Sequence, residues 1–87
     1  MKNFYFTFGQ NHENVDGISM ENKWVRVTAL SKRAAYNLFI FLFANPEMGN
    51  SQKWSMIYSE DNFNPEFYSE GEHSMLHQEE LLNTVQI

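Results

Sequence analysis

Phe4, Phe6 and Phe8 alternate with Tyr5 and Thr7 near the start of this 87-residue chain. Successive side chains of a strand point to opposite faces, so three phenylalanines on one side must be covered by something apolar. Such a strand cannot stand alone; it demands a sheet with at least one packed face. A chain of this length makes one small domain, which buries only about 60–65% of the surface its unfolded form exposes. Hydrophobic residues at 43% and aromatics at 16% suffice for a core and argue against global disorder. With no cysteine, a disulfide scaffold, a thiol nucleophile and a thiolate zinc site are excluded.

The first strand is expected over residues 3–9, ended by Gly9. Residues 10–23 carry Asn, Asp, Gly and Ser without periodicity and read as a long loop. A second strand follows over 24–29, with Val25, Val27 and Ala29 on one face and Trp24, Arg26 and Thr28 on the other. Ser31 is placed to cap a helix, its hydroxyl accepting from a backbone N–H two or three residues on. The helix is expected over 32–44, with Ala34, Ala35, Leu38, Phe41 and Leu42 as its buried stripe, and Asn45-Pro46 ends it. After a polar loop over 46–52, a third strand spans 53–60, and residues 61–67 form a turn and one helical turn capped by Asn64, with Pro65 first. This order predicts an α+β fold: one antiparallel or mixed sheet of three or more strands, in β-β-α-β order, with a helix packed on one face. The compact domain is expected over 1–71, and 72–87 as a C-terminal extension, either a short helix or a loose tail.

The net charge of −5 is unevenly spread. All six Lys and Arg lie between Lys2 and Lys53 with four acids, a balance of +2; residues 54–87 hold seven acids and no base, a balance of −7. An acidic end repels nucleic acid and attracts a basic protein surface. No direct nucleic-acid or membrane partner is expected. The longest apolar run, residues 38–44, falls far short of the roughly 20 residues of a membrane span. The first residues read as a strand pattern, not a signal-peptide core, and with no cysteine the expected location is the cytoplasm.

Chemistry finds little support. His73 and His77 stand four apart, with Glu70 and Glu80 three residues outside them, but the spacing is not that of a zinc motif, so no metal and no cofactor is expected. His12 lies in the long loop without a recognisable partner, no serine sits in a nucleophile elbow, and Glu60 and Asp61 are adjacent and diverge. The four glycines cannot build a phosphate-cradling loop. No catalytic residue is assigned, and the chain is not expected to be an enzyme. The strand aromatics read as core, since base stacking needs a basic surround. The helix is apolar all round from Leu38 to Phe43, so Phe39, Ile40 or Phe43 is expected to point away from the sheet. That ridge would be covered by the chain's own tail, by a second copy in a homodimer, or by another protein.

Three pieces then line up: Phe4-Tyr5-Phe6-Thr7-Phe8-Gly9-Gln10-Asn11-His12; Trp24-Val25-Arg26-Val27-Thr28-Ala29 with a helix containing Ala34 and Ala35; and Lys53-Trp54-Ser55-Met56-Ile57-Tyr58-Ser59-Glu60-Asp61-Asn62-Phe63. Over residues 3–71, with gaps, they resemble a family of small proteins of bacteriophages, prophages and other mobile elements, with the pattern Y-F-T-F-G-x-x-H and K-W-x-x-x-Y-x-E-x-x-F. The chain departs from that pattern in its longer passage over 45–52 and its extra tail over 72–87. The resemblance implies a phage-related origin and no agreed activity. Small acidic proteins of such elements often block host machinery, including CRISPR effectors and other defences.

The leading expectation is thus a non-enzymatic anti-defence inhibitor that docks on a basic host-protein surface in the cytoplasm of the host bacterial cell. Glu60, Asp61, Glu66, Glu70 and Glu72 would supply the field, and Tyr58, Phe63, Phe67 and Tyr68 the anchors. The alternatives are a cyclic-nucleotide sponge, built from the 10–23 loop and Arg26 with Tyr5 or Trp24 stacking the base and the basic residues Lys23, Lys32 and Arg33 near it in sequence, and a structural homodimer held by Phe39, Ile40 and Phe43 without a ligand.

Overall fold

The computed structural model describes residues 1–9, 19–44, 54 and 56–79. Strand β1 (Lys2–Thr7) is followed by β2 (Lys23–Ala29), helix α1 (Lys32–Phe43), β3 (Met56–Ser59), a 3-10 turn (Pro65–Phe67) and β4 (Gly71–His77). The protein is an α+β domain: one four-stranded mixed sheet, in the order β3-β1-β2-β4, with a single helix. β1 is antiparallel to both β2 and β3, and β4 runs parallel to β2. The three strands other than β1 therefore share one direction.

The alternation in the sequence decides which face the helix covers. Phe4 pairs with Val27 and Phe6 with Val25 and Ile57, so these side chains share a face. On that face Phe4, Phe6, Phe8, Val25, Val27 and Ala29 form one core with Ala35, Leu38 and Phe39 of α1. Ser31 caps the helix as expected, its Oγ accepting from the Ala34 N–H at 3.1 Å.

The buried stripe of α1 is rotated from the expected one. Ala35, Leu38 and Phe39 are buried, while Phe41 is 43% exposed. Phe39 does not point away from the sheet; it is fully buried and stacks on Phe6 with ring centroids 4.1 Å apart. Ile40 and Phe43 are partly buried against the same core. A helix apolar all round carries no phase of its own, and the fit of Phe39 between Phe6, Phe8 and Trp54 sets it.

Residues 72–77 are not a tail. They belong to β4, so the boundary expected at 71/72 falls inside a strand and the compact unit runs at least to His77. Trp24 pairs with Glu72 and Val25 with Ser74, which leaves a bulge at His73. The strand begins at Gly71, whose φ is +80° and whose missing Cβ would meet nothing within 4 Å. Gly71→Ala is therefore expected to cost about 1–2 kcal/mol from the backbone alone, read as a lower urea midpoint with an unchanged slope. Residues 10–18 of the loop expected over 10–23, the loop expected over 46–52, the start of the third strand at Lys53, His12, Glu80 and the last residues 81–87 lie outside the described residues.

Candidate functional site

β3 and β4 occupy opposite edges of the sheet, so residues 60–70 must pass across one of its faces. They pass over the face away from α1. That face carries Asn3, Tyr5 and Thr7 of β1, Trp24, Arg26 and Thr28 of β2, Met56 and Tyr58 of β3, and Glu72, Met75 and His77 of β4. The sequence suggested the core or a stacked base for Tyr5 and Trp24 and a partner protein for Tyr58; in the structure all three form the bed for a strap.

Phe63 holds the strap down. Its ring stacks on Tyr5 with centroids 4.2 Å apart and planes within 3°. Tyr68 stacks on Phe63 at 5.5 Å, and Trp24 meets both edge-on. Tyr58 lies beside Phe63 at 6.2 Å. Such pairs contribute about 0.5–1.5 kcal/mol each beyond the area they bury. The indole N–H of Trp24 is buried beneath them with no hydrogen-bond partner among the described residues. Phe63 and Tyr68, expected as partner anchors, thus serve the fold.

Partial burial, with Tyr68 beside it, raises the Tyr58 phenol above its ordinary value of 10.0. The neutral form is the one the folded state favours. The stabilisation is complete below that ordinary value and is lost as pH rises through the raised one. Melting temperature should fall above about pH 10, and less steeply in Tyr58→Phe.

The strap's two ends are locked differently. At the start, Glu60 Oε1 accepts from the Asn3 N–H at 3.0 Å, and the Asn62 and Phe63 N–H groups donate to the Ser59 carbonyl at 3.1 Å. At the far end Glu70 pairs with Lys23 at 3.0 Å and its N–H donates to the Asn22 carbonyl at 2.9 Å. Glu72 lies 2.9 Å from Arg26 Nε, close enough for an ion pair though poorly aligned for a hydrogen bond. Two of the five acids expected to supply the docking field are therefore answered by bases of β2. Among the described residues Asp61 and Glu66 have no basic partner.

Between the locks the chain stands proud of the sheet. Asn64 Oδ1 accepts from the Glu66 N–H at 3.1 Å and caps the 3-10 turn, with Pro65 in its first position. Phe67 points outward and is 75% exposed, the highest value among the exposed large hydrophobic residues. The capped turn offers a bare phenylalanine beside Glu66, over a base of stacked rings.

Below the strap, Tyr5, Trp24, Arg26, Glu60, Phe63, Pro65 and Glu72 line a cavity of about 320 Å³. The pocket expected for a stacked base would use Tyr5 or Trp24 with Arg26. In the structure Tyr5 is stacked by Phe63, Trp24 packs against Phe63 and Tyr68, and Arg26 is paired with Glu72. The bed aromatics were legible in one respect: Tyr5 and Trp24 fall opposite the core residues, a sign that the second face also needs cover.

Ser74 Oγ lies 2.7 Å from His73 Nδ1, a contact between neighbours at the bulge. His77 Nδ1 accepts from the Glu79 N–H at 3.2 Å. Among the described residues no group of three or more His, Asp or Glu is placed to hold a metal ion, and no helix is long and apolar enough to cross a membrane. Comparison with family models, with curated proteins and with solved structures found no match.

Proposed function

We propose that the chain is a non-enzymatic binding protein of a phage or mobile element, which docks its strap on a basic surface of a host protein and blocks that protein. The phage-related origin and the defence-type target rest on the resemblance of the three sequence motifs. The docking rests on the strap, and the observation that carries it is Phe67. An exposed aromatic on a capped, supported turn loses little freedom on binding, and aromatic side chains in such positions dominate interface energies. Glu66 next to it in the turn and Asp61 near the start of the strap steer the encounter toward a basic partner, and the cytoplasm of the host cell is where such a partner would be met.

The test is capture from bacterial lysate with the tagged chain, washed at about 0.1 M and then about 1 M salt. The screening length falls from about 10 Å to about 3 Å over that range. A single protein held at low salt, released at high salt and missed by the variant Asp61→Gln with Glu66→Gln is the expected result. A partner retained at both salt levels, or captured equally by the variant, would remove the acidic docking mode.

A further inference from the structure

An open cleft of about 570 Å³ lies on the helix side of the sheet, where α1 adjoins edge strand β3. That volume is in the range of small-molecule sites, about 300–1,000 Å³. Among the described residues its lining is Lys32, Arg33, Tyr36, Asn37 and Ile57. Four of these five side chains carry hydrogen-bond donors and none is a carboxylate.

This is unusual in a chain of net charge −5. Lys23 and Arg26 are paired with acids, whereas Lys32 and Arg33 have no acidic partner among the described residues. Lys32 and Tyr36 are four apart, as are Arg33 and Asn37, and Arg33 and Tyr36 are three apart. One helix surface therefore presents all four.

The floor is fixed. Tyr36 is 41% exposed, and its ring is held edge-on against Trp54 at 5.8 Å. Trp54 in turn meets Phe6 and Phe39 of the core edge-on. Ile57 closes the other wall from β3 and packs on the same core.

A guanidinium fork, a mobile ammonium and two neutral donors together suit a group with three acceptor oxygens and more than one negative charge. A carboxylate, with two oxygens and one charge, leaves donors unused. The open part of the Tyr36 ring and Ile57 then offer a surface for a flat apolar group. We propose that this cleft binds a phosphate-bearing aromatic small molecule of the nucleotide kind, with its phosphate at Lys32 and Arg33 and its ring against Tyr36 and Ile57. The lining includes no residue of the strap, although Lys32 also borders a neighbouring cavity with Glu60 and Asp61, and the proposal does not depend on whether the strap binds a protein.

The test is titration of the ¹⁵N-labelled full chain, at low salt, with adenosine monophosphate, adenosine and inorganic phosphate in parallel. Adenosine monophosphate is expected to move the amide signals of Lys32, Arg33, Tyr36, Asn37 and Ile57 with saturation. Adenosine alone should bind about tenfold or more weakly, as loss of charge-assisted hydrogen bonds implies. Lys32→Gln with Arg33→Gln should weaken the nucleotide at least as much, and Tyr36→Ala should weaken it without changing inorganic phosphate. Both cations are exposed, so a native-like spectrum of the double variant is expected, and Arg33→Lys serves as a milder second variant. Equal binding of adenosine and its monophosphate would overturn the proposal. So would inorganic phosphate binding as tightly as the nucleotide, shifts confined to other residues, no saturable shift, or full binding by the variants.

Discussion

Phe39→Ala is expected to lower the urea midpoint of unfolding sharply, while Phe41→Ala, two residues on, is expected to leave it nearly unchanged. Phe39 is fully buried and its ring contacts Phe6, Phe8, Phe43 and Trp54. Removing a buried phenylalanine costs about 3–5 kcal/mol, because the transfer energy is lost and the neighbours only partly close the gap. At roughly 0.05–0.15 kcal/mol per residue, a chain of 87 residues has about 4–13 kcal/mol in total. The variant thus loses from about a quarter to all of its stability. Phe41 is 43% exposed, and alanine is the better helix former by up to about 0.7 kcal/mol, which offsets the smaller loss of contact. Urea denaturation of both variants reads the difference. Equal midpoints would mean that α1 sits in a different rotation, with the ridge outward and a surface for self-association in its place.

That pair of phenylalanines also shows where sequence reading reaches its limit. Strands β1 and β2, the Ser31 cap and the capped turn at Asn64-Pro65 were legible, because each depends on local chemistry: period-two alternation, a hydroxyl before a helix, a fixed φ. The rotation of α1 was not legible, since residues 38–43 offer apolar side chains in every direction and only packing against Phe6 and Trp54 selects one. β4 was not legible for two reasons. Its bulge at His73 breaks the alternation, so Glu72, Met75 and His77 share a face in a pattern no strand template matches. Its partner β2 lies some fifty residues earlier in the chain, and parallel pairing across that distance leaves no local signal. The same pairing rewrites the charge map. An acidic C-terminal half was plain in composition, but β4 lies alongside β2, so Glu70 and Glu72 are neutralised by Lys23 and Arg26. What remains without a base in the strap, among the described residues, is Glu60 and Asp61 at its start and Glu66 in its outer turn, a narrower feature than the composition suggested.

Phe67→Ala is accordingly expected to weaken binding to a protein partner about thirtyfold without loss of fold, and Phe63→Ala to weaken it by loosening the fold. Phe67 is 75% exposed and its side chain supports nothing beneath it, so its removal should move stability by no more than about 0.5 kcal/mol. As the anchor of an interface it should carry at least about 2 kcal/mol, roughly a thirtyfold rise in Kd. Phe63 touches Tyr5, Trp24, Tyr58 and Tyr68. It is only half-buried, so its loss should cost about 2–3 kcal/mol, below the range for a core ring, and should free the strap from its bed. Binding would then weaken because the turn is no longer held, and Phe63→Leu, which keeps apolar bulk, should restore part of it. Thermal melts of both variants, read beside affinity for the captured partner, separate the two roles. If Phe67→Ala bound normally while melting normally, the exposed phenylalanine would not be the anchor. The acids Asp61 and Glu66 would then have to bind without it, and exposed acids give on-rate and specificity more readily than affinity.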